Sequence, residues 1–272
     1  MIFRSLRRRP SIKIPSLYPP AAGNRQQACK IKLMATTNKI ALVTGGSRGL
    51  GKNMALSLAN KGIDVVLTYL SKKDEAEAAV KTIEQSGRKA WALPLDSGDI
   101  QRFDPFVKEF SAVLKDHFNA DRFDFLINNA GIGHYALFEN NTEEAFDRIM
   151  NINLKGVFFL TQKLLPLIND GGRIINLSSG LARFTIPGSS VYAAMKGAIE
   201  TLTRYLAVEL GPRRIAVNTL APGAIETDFN GGAVRDNPQY NKMVADSTSL
   251  CLVGLPDDIG GVAAFLCTDD SR

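Results

Sequence analysis

The sequence predicts an α/β fold, a single domain built on a doubly wound parallel sheet. Three observations carry that expectation. From Lys39 onward, short β-branched apolar runs alternate with longer amphipathic ones, the rhythm of βαβ units. The strand-like runs, such as Ile40-Ala41-Leu42-Val43 and Arg173-Ile174-Ile175-Asn176-Leu177, are nearly continuous in apolar residues, which suits a sheet covered by helices on both faces. No internal repeat or low-complexity linker follows Met34, and 272 residues that are 45% hydrophobic and 22% charged suffice for one large core.

On this pattern strands are expected at 40–44, 64–68, 89–95, 123–128, 173–177 and 215–220. The amphipathic stretches between them predict helices at 50–60, 73–85, 104–117, 142–167 and 190–210, with a last one at 256–266.

The first strand runs into Thr44-Gly45-Gly46-Ser47-Arg48-Gly49-Leu50-Gly51, followed by a helix. Glycines 45, 49 and 51 let the backbone turn tightly and approach a pyrophosphate, while the helix N-terminus supplies N–H donors and positive potential. The spacing is G-x-x-x-G-x-G, different from the commoner G-x-G-x-x-G fingerprint. An acid at the tip of the second strand would bind the ribose 2′-hydroxyl of NAD. Here that tip reads Leu67-Thr68-Tyr69-Leu70-Ser71-Lys72-Lys73, without an acid. The missing carboxylate and the basic Arg48 in the loop favour a 2′-phosphate, hence NADP(H). Lys72 and Lys73 read equally well as a solvated helix start.

Further along, Tyr192 and Lys196 stand four residues apart in a helical run, so both side chains share one face. A lysine cation within about 4–6 Å favours a phenolate and lowers the tyrosine pKa, which suits proton exchange with an alcohol or ketone near neutral pH. Isolated thiols at Cys29, Cys251 and Cys267, with only His117 and His134 as histidines, give no metal-ligand spacing; no metal is expected, and a reducing compartment is. No G-x-S-x-G elbow is present, which disfavours a serine hydrolase.

Residues 1–34 differ from the rest. They hold eight of the 33 basic residues, and the first acid in the chain is Asp64. The remaining 25 basic residues face 27 acids, so the pI near 9.2 belongs to this extension and gives no reason to expect nucleic acid binding by the core. The segment reads either as an organellar targeting peptide, for mitochondrion or plastid, or as sequence upstream of a start at Met34. The second reading is favoured, and with it a cytoplasmic domain at 35–272. No apolar run is long enough to span a bilayer.

Five motifs now stand in order: Thr44–Gly51, Asn128-Asn129-Ala130-Gly131, Ile174–Ser179, Tyr192-x-x-x-Lys196 and Pro222-Gly223. Over about residues 36–270 the chain resembles the short-chain dehydrogenase/reductase family, with its Rossmann-like domain, and is most similar to the 3-oxoacyl-carrier-protein-reductase-like members. The resemblance implies that Tyr192 is the general acid–base, that Lys196 lowers its pKa and bonds the nicotinamide ribose, and that Ser179 holds the substrate oxygen beside its neighbour Ser178. It makes Asn153 the holder of a proton-relay water. It also assigns the cofactor to Gly45, Ser47, Arg48, Gly49, Leu50 and Gly51, to Asp96 at the adenine, to Asn128, Ala130 and Gly131 at the adenosine ribose, and to Pro222, Gly223, Ile225 and Thr227 at the carboxamide.

The activity so implied is NADP(H)-dependent reduction of a ketone or 3-oxoacyl carbonyl by a homodimer or homotetramer. A non-catalytic NADP(H)-binding sensor or scaffold is the alternative. Residues 229–256 are expected to form a lid, and His134, Tyr135, Phe184 and Ile186 to line a pocket for a ketone or oxoacyl group without large charge. Two departures from the family stand out. The seventh strand usual in the family is not found after the last helix, so either the sequence is a fragment or truncated product or a sheet edge is left open, and Leu252 and Leu255 stand where relatives often have a basic and an acidic residue.

Overall fold

The computed structural model describes residues 38–271. Six strands form one sheet: β1 (Ile40–Val43), β2 (Asp64–Tyr69), β3 (Ala90–Pro94), β4 (Phe123–Asn128), β5 (Ile168–Leu177) and β6 (Ala216–Leu220). Their order is β3-β2-β1-β4-β5-β6 and every pairing is parallel. The connections carry α1 (Gly49–Asn60), α2 (Lys73–Gln85), α3 (Phe103–Phe118), α4 (Glu143–Met150), α5 (Gly156–Leu164) and α6 (Ser190–Glu209). Three more helices follow β6: α7 (Ala233–Asp236), α8 (Pro238–Asp246) and α9 (Asp257–Leu266).

The continuous apolar strands behave as a two-sided sheet requires, because successive side chains point to opposite faces. Ala41 and Val43 pack with Met54 and Leu58 of α1, Ala79 and Ile83 of α2, and Ala263 and Ala264 of α9. Ile40 and Leu42, one residue out of step, pack with Phe103, Phe106 and Phe110 of α3 and Leu160 and Leu164 of α5 on the other face.

The chain winds outward from β1 to β3 and then returns to β4 beside β1. Beyond the carboxyl ends of β1 and β4 the connections diverge, and in sheets of this topology such a switch point opens a crevice. The glycine loop leaves β1 there, and Asn128–Gly131 leaves β4.

Two elements differ from expectation. The helix expected over 142–167 is divided: α4 passes through a π-helical turn at Asn151–Lys155 into α5, and a 3-10 turn at Leu165–Leu167 closes it around Pro166. β5 begins at Ile168, where Ile168 pairs with Phe123 and a register irregularity separates that pair from the regular ladder at Phe125 and Arg173. The intervening Asn169-Asp170-Gly171-Gly172 has the composition of a turn, which hid this first pairing. Among the described residues no strand follows α9 and β6 ends the sheet, in line with the six strands expected. Also among them, no helix is long and apolar enough to cross a membrane and no cluster of potential metal ligands occurs. The expectations for residues 1–34 fall outside the described residues.

Candidate active site

The glycine loop folds as its sequence requires. Gly45 and Gly49 adopt φ of +64° and +54°, conformations that side chains with a Cβ rarely take. At Gly51 the backbone passes so close to the Gly45 carbonyl that a Cβ would meet its oxygen at 2.1 Å. α1 then starts with no acid in its first turn and no side-chain cap, so its first amides keep their donors and positive potential at the crevice. Ser47 is buried, whereas Leu50 turns back onto the core beside α1 and leaves only its backbone for a ligand.

Asn129, to which the sequence assigned no role of its own, ties this loop to β4. Its Nδ2 donates to the carbonyls of Thr44 (2.8 Å) and Gly45 (3.1 Å). The Thr44 hydroxyl accepts from the backbone amides of Asn129 and Ala130, both at 3.0 Å. Its neighbour Asn128 has a different role in the fold. The Asn128 side chain points into the protein, where Nδ2 donates to Thr161 Oγ1 (3.0 Å) and Asn176 Oδ1 (2.8 Å), and Asn176 passes the chain on to Thr203 Oγ1 at 2.9 Å. This buried amide ladder joins β4, β5, α5 and α6, and it leaves the Asn128 backbone, rather than its side chain, to face the crevice. An amide-rich run at the end of two adjacent strands was the available signal, and only the register between them reveals it.

The chemistry-bearing side chains come from β5, α6 and the π turn. Ser179 follows β5 with extended backbone and caps a short turn, its Oγ accepting from Leu181 N at 3.2 Å. The nearby Ser179 hydroxyl pulls the phenol pKa of Tyr192 down. Burial acts more strongly in the other direction, and the net result is a Tyr192 pKa pushed up to about 12. Lys196 is buried at 4% exposure, and its Nζ lies 5.5 Å from the centroid of the Tyr192 ring while donating to the Leu177 carbonyl at 2.8 Å. Burial lowers Lys196 to about 8. In this arrangement the Lys196 Nζ is engaged by a carbonyl, and burial is the larger influence on both groups.

Asn153 is fully buried on the π turn, a distortion that recurs at functional positions in helices. Its Nδ2 donates to Ile132 O (3.0 Å) and Ile149 O (3.1 Å), while its Oδ1 has no protein partner. A Cβ on Gly131 would stand 2.8 Å from that oxygen and 3.6 Å from Lys196 Nζ. Glycine at 131 thus keeps open the approach between the Asn153 carbonyl oxygen and the lysine. An acceptor left without any partner in the interior costs on the order of 1–3 kcal/mol, so this oxygen is a natural place for a water or ligand donor.

The other expected positions divide. Asp96 follows β3 and spends one oxygen on the Gly98 amide at 2.8 Å. Lys72 and Lys73 pair with Glu75 and Glu77 at the start of α2, the solvated helix start that the sequence allowed. Pro222 is buried and accepts from Gly180 N at 3.0 Å, fixing the Ser179 turn against the strand-six loop. Gly223 is exposed beside it, and Ile225 bridges to Gly254. Thr227 is buried against Gly49, with its hydroxyl accepting from Phe229 N at 3.2 Å.

The segment after Thr227 crosses the crevice. The Phe229 ring stands 5.9 Å, centroid to centroid, from Tyr192. Beneath it lies a hollow of about 360 Å³ bounded by Arg48, Gly131–His134, Arg148 and Asp228–Gly231. Tyr135, Phe184 and Ile186 are large apolar side chains left exposed, with the Tyr135 ring seated against Gly188 and the Phe184 ring against Gly180. His134 is engaged with Asn141 (Nε2 to Oδ1, 3.0 Å).

Known proteins resemble this chain over most of its length. Residues 45–272 match a family model described as enoyl-(acyl carrier protein) reductase. An uncharacterized oxidoreductase of Methylorubrum extorquens is 38% identical over 86% of this chain and 92% of its own length. Versicolorin reductase 1 of Dothistroma septosporum is 35% identical over 85% and 89%. The crystal structure of the angucycline C-6 ketoreductase LanV with bound NADP superposes with a TM-score of 0.82, at 37% identity over 86% of this chain and 90% of that one. With the five motifs in order, the parallel sheet and the match over most of its length, this chain belongs to the short-chain dehydrogenase/reductase family.

Proposed function

We propose that the protein is an NADP(H)-dependent carbonyl reductase in which Tyr192, Ser179, Lys196 and Asn153 form the catalytic set. The observation that carries this is the convergence of Tyr192, with Lys196 Nζ 5.5 Å from its ring, and the unpartnered Asn153 Oδ1 at the crevice that the glycine loop borders. The free amides at the start of α1, the left-handed glycines and the close approach at Gly51 fit a dinucleotide pyrophosphate. Arg48 is the partner proposed for the 2′-phosphate, and Ser47, Gly131, Pro222, Gly223, Ile225 and Thr227 border the rest of the cofactor.

When bound, NADPH supplies the hydride. Tyr192 delivers a proton from Oη to the substrate oxygen as negative charge develops there, and Ser179 holds the same oxygen in place. Lys196 lies on the inner side of Tyr192 and donates away from the substrate. Asn153 Oδ1, facing the same corridor past Gly131, accepts the water through which the tyrosine is reprotonated. Phe229 and the following segment exclude bulk solvent.

The substrate we propose is an uncharged ketone. The exposed rings of Tyr135 and Phe184 support this, as do the angucycline C-6 ketoreductase and versicolorin reductase 1 among the similar proteins. A homodimer or homotetramer in the cytoplasm completes the reading. Its support is the exposed Phe146, Phe158, Tyr205 and Val208 on α4–α6 and the unpaired thiols of Cys251 and Cys267.

The test is NADPH oxidation with aryl ketones, oxoesters, an acetoacetyl thioester and a crotonyl thioester, run on wild type and Tyr192→Phe. Turnover of ketones that collapses in the variant supports the proposal. Turnover of the crotonyl thioester alone would move the assignment to enoyl reduction, and tight NADPH binding without turnover would move it to a sensor.

A further inference from the structure

Arg48 stands at the tip of the glycine loop with extended backbone, and its Nη1 lies 3.5 Å from Asp228 Oδ2. Asp228 is also held by Arg235 of α7, which in turn binds Asp236 through two hydrogen bonds of 2.7 and 2.8 Å. The four charges alternate in sign and sum to zero. Between Asp228 and α7 the chain runs through Asn230, Gly231 and Gly232 at φ of +52°, +71° and +77°, three successive left-handed residues that fold Arg235 back onto Asp228. A Cβ on Gly49 would lie 3.5 Å from Thr227, so this segment runs close to the glycine loop. The Arg48 guanidinium, which the preceding section assigns to the 2′-phosphate, is therefore already occupied by a carboxylate of the segment that covers the crevice.

We propose that Asp228 is a specificity-determining residue that competes with the cofactor's 2′-phosphate for Arg48 and so sets how strongly the protein prefers NADP(H) to NAD(H). The inference rests on the assignment of Arg48 to that phosphate. Its energetics are modest by construction. The Arg48–Asp228 pair is long and both side chains are well exposed, at 49% and 38%, so it offers weak competition. A phosphate offers a doubly charged, multiply accepting partner that displaces it. Asp228 keeps Arg235 when Arg48 leaves, so no charge is stranded. Arg235 thereby weakens the hold of Asp228 on Arg48, and the two residues act with opposite sign on phosphate binding.

The experiment measures binding of 2′,5′-ADP and of ADP by calorimetry to the full-length protein, which requires no turnover. Asp228→Asn is expected to tighten 2′,5′-ADP about two- to fivefold while leaving ADP unchanged. Arg235→Ala, which leaves Asp228 to Arg48 alone, is expected to weaken 2′,5′-ADP by a similar factor. Both effects shrink at about 0.5 M salt, where exposed charges are screened. Simple loss of lid structure would move both variants and both ligands in the same direction, and that result overturns the proposal. Arg48→Ala separates the two levels of the argument. If it weakens 2′,5′-ADP against ADP but Asp228→Asn changes nothing, the competition is refuted and the phosphate assignment stands. If it leaves the two ligands alike, the assignment falls and the competition with it.

Discussion

Lys196 lies over the face of the Tyr192 ring, 5.5 Å from its centroid, but gives its hydrogen bond to the Leu177 carbonyl rather than to the phenol. The pair thus shares a buried environment in which each charged form is disfavoured, the phenolate at Tyr192 and the ammonium at Lys196. A polar partner that supports the charged forms turns this pair into an acid–base device, and its cost is paid in stability.

That cost has a pH signature. The Lys196 pKa is about 8 in the folded protein against 10.5 for the free group, so the unfolded chain holds the proton more tightly. The penalty is complete below pH 8 and is relieved as pH rises toward 10.5. Relative to Lys196→Met, wild type should gain about 1 kcal/mol of stability between pH 7 and pH 9. Urea titrations of both proteins at the two pH values measure it. Equal pH dependence in the two would show that the folded lysine is solvated.

Gly131→Ala should remove turnover while sparing the fold. The added methyl would meet Asn153 Oδ1 at 2.8 Å and stand in the approach to Lys196. A fall in kcat of tenfold or more is expected, with stability changed by about 1–3 kcal/mol, the range of local overpacking. Steady-state kinetics alongside thermal melts check this, and a fully active alanine variant would remove the corridor from the mechanism.

Asn129→Ala should loosen the glycine loop from β4. It deletes bonds to Thr44 O and Gly45 O. NADPH affinity is expected to fall about tenfold, equivalent to about 1.4 kcal/mol. Fluorescence titration reports this directly, and unchanged affinity would mean that the loop holds its shape through Thr44 and glycine geometry alone.

Phe158→Glu together with Tyr205→Glu should dissociate the proposed oligomer, since both side chains are exposed apolar groups on α5 and α6. Light scattering after size exclusion gives the mass. A wild-type monomer would refute the assembly before any variant is made.

Much of this was legible in the sequence because it depends on local periodicity. The strands from Ile40 to Leu220 and the split of their side chains between two faces follow from alternation and burial. The glycine loop follows from backbone sterics, and Tyr192 with Lys196 from one turn of helix. What stayed hidden depends on neighbours distant in sequence. The inward turn of Asn128 follows from β4 lying beside β5, which puts Asn176 within 2.8 Å. The role of Asn129 requires the β1–β4 pairing that brings Thr44 to it. The environment that sets Tyr192 and Lys196 is a matter of burial, which spacing alone does not report. The π turn lies in an unbroken helical pattern and adds a residue without any change of composition.

That turn has a consequence for how the chain can vary. An α-helix advances about 100° per residue, so the extra residue in Asn151–Lys155 sets the rotational phase of everything after it relative to α4. A one-residue deletion there would restore a regular helix and turn α5 by that angle, carrying Leu160 and Leu164 out of the core or Asn153 off its two carbonyls. The length of this stretch cannot drift. The reading frame of the helix is fixed by the chemistry at one end and the hydrophobic layer at the other.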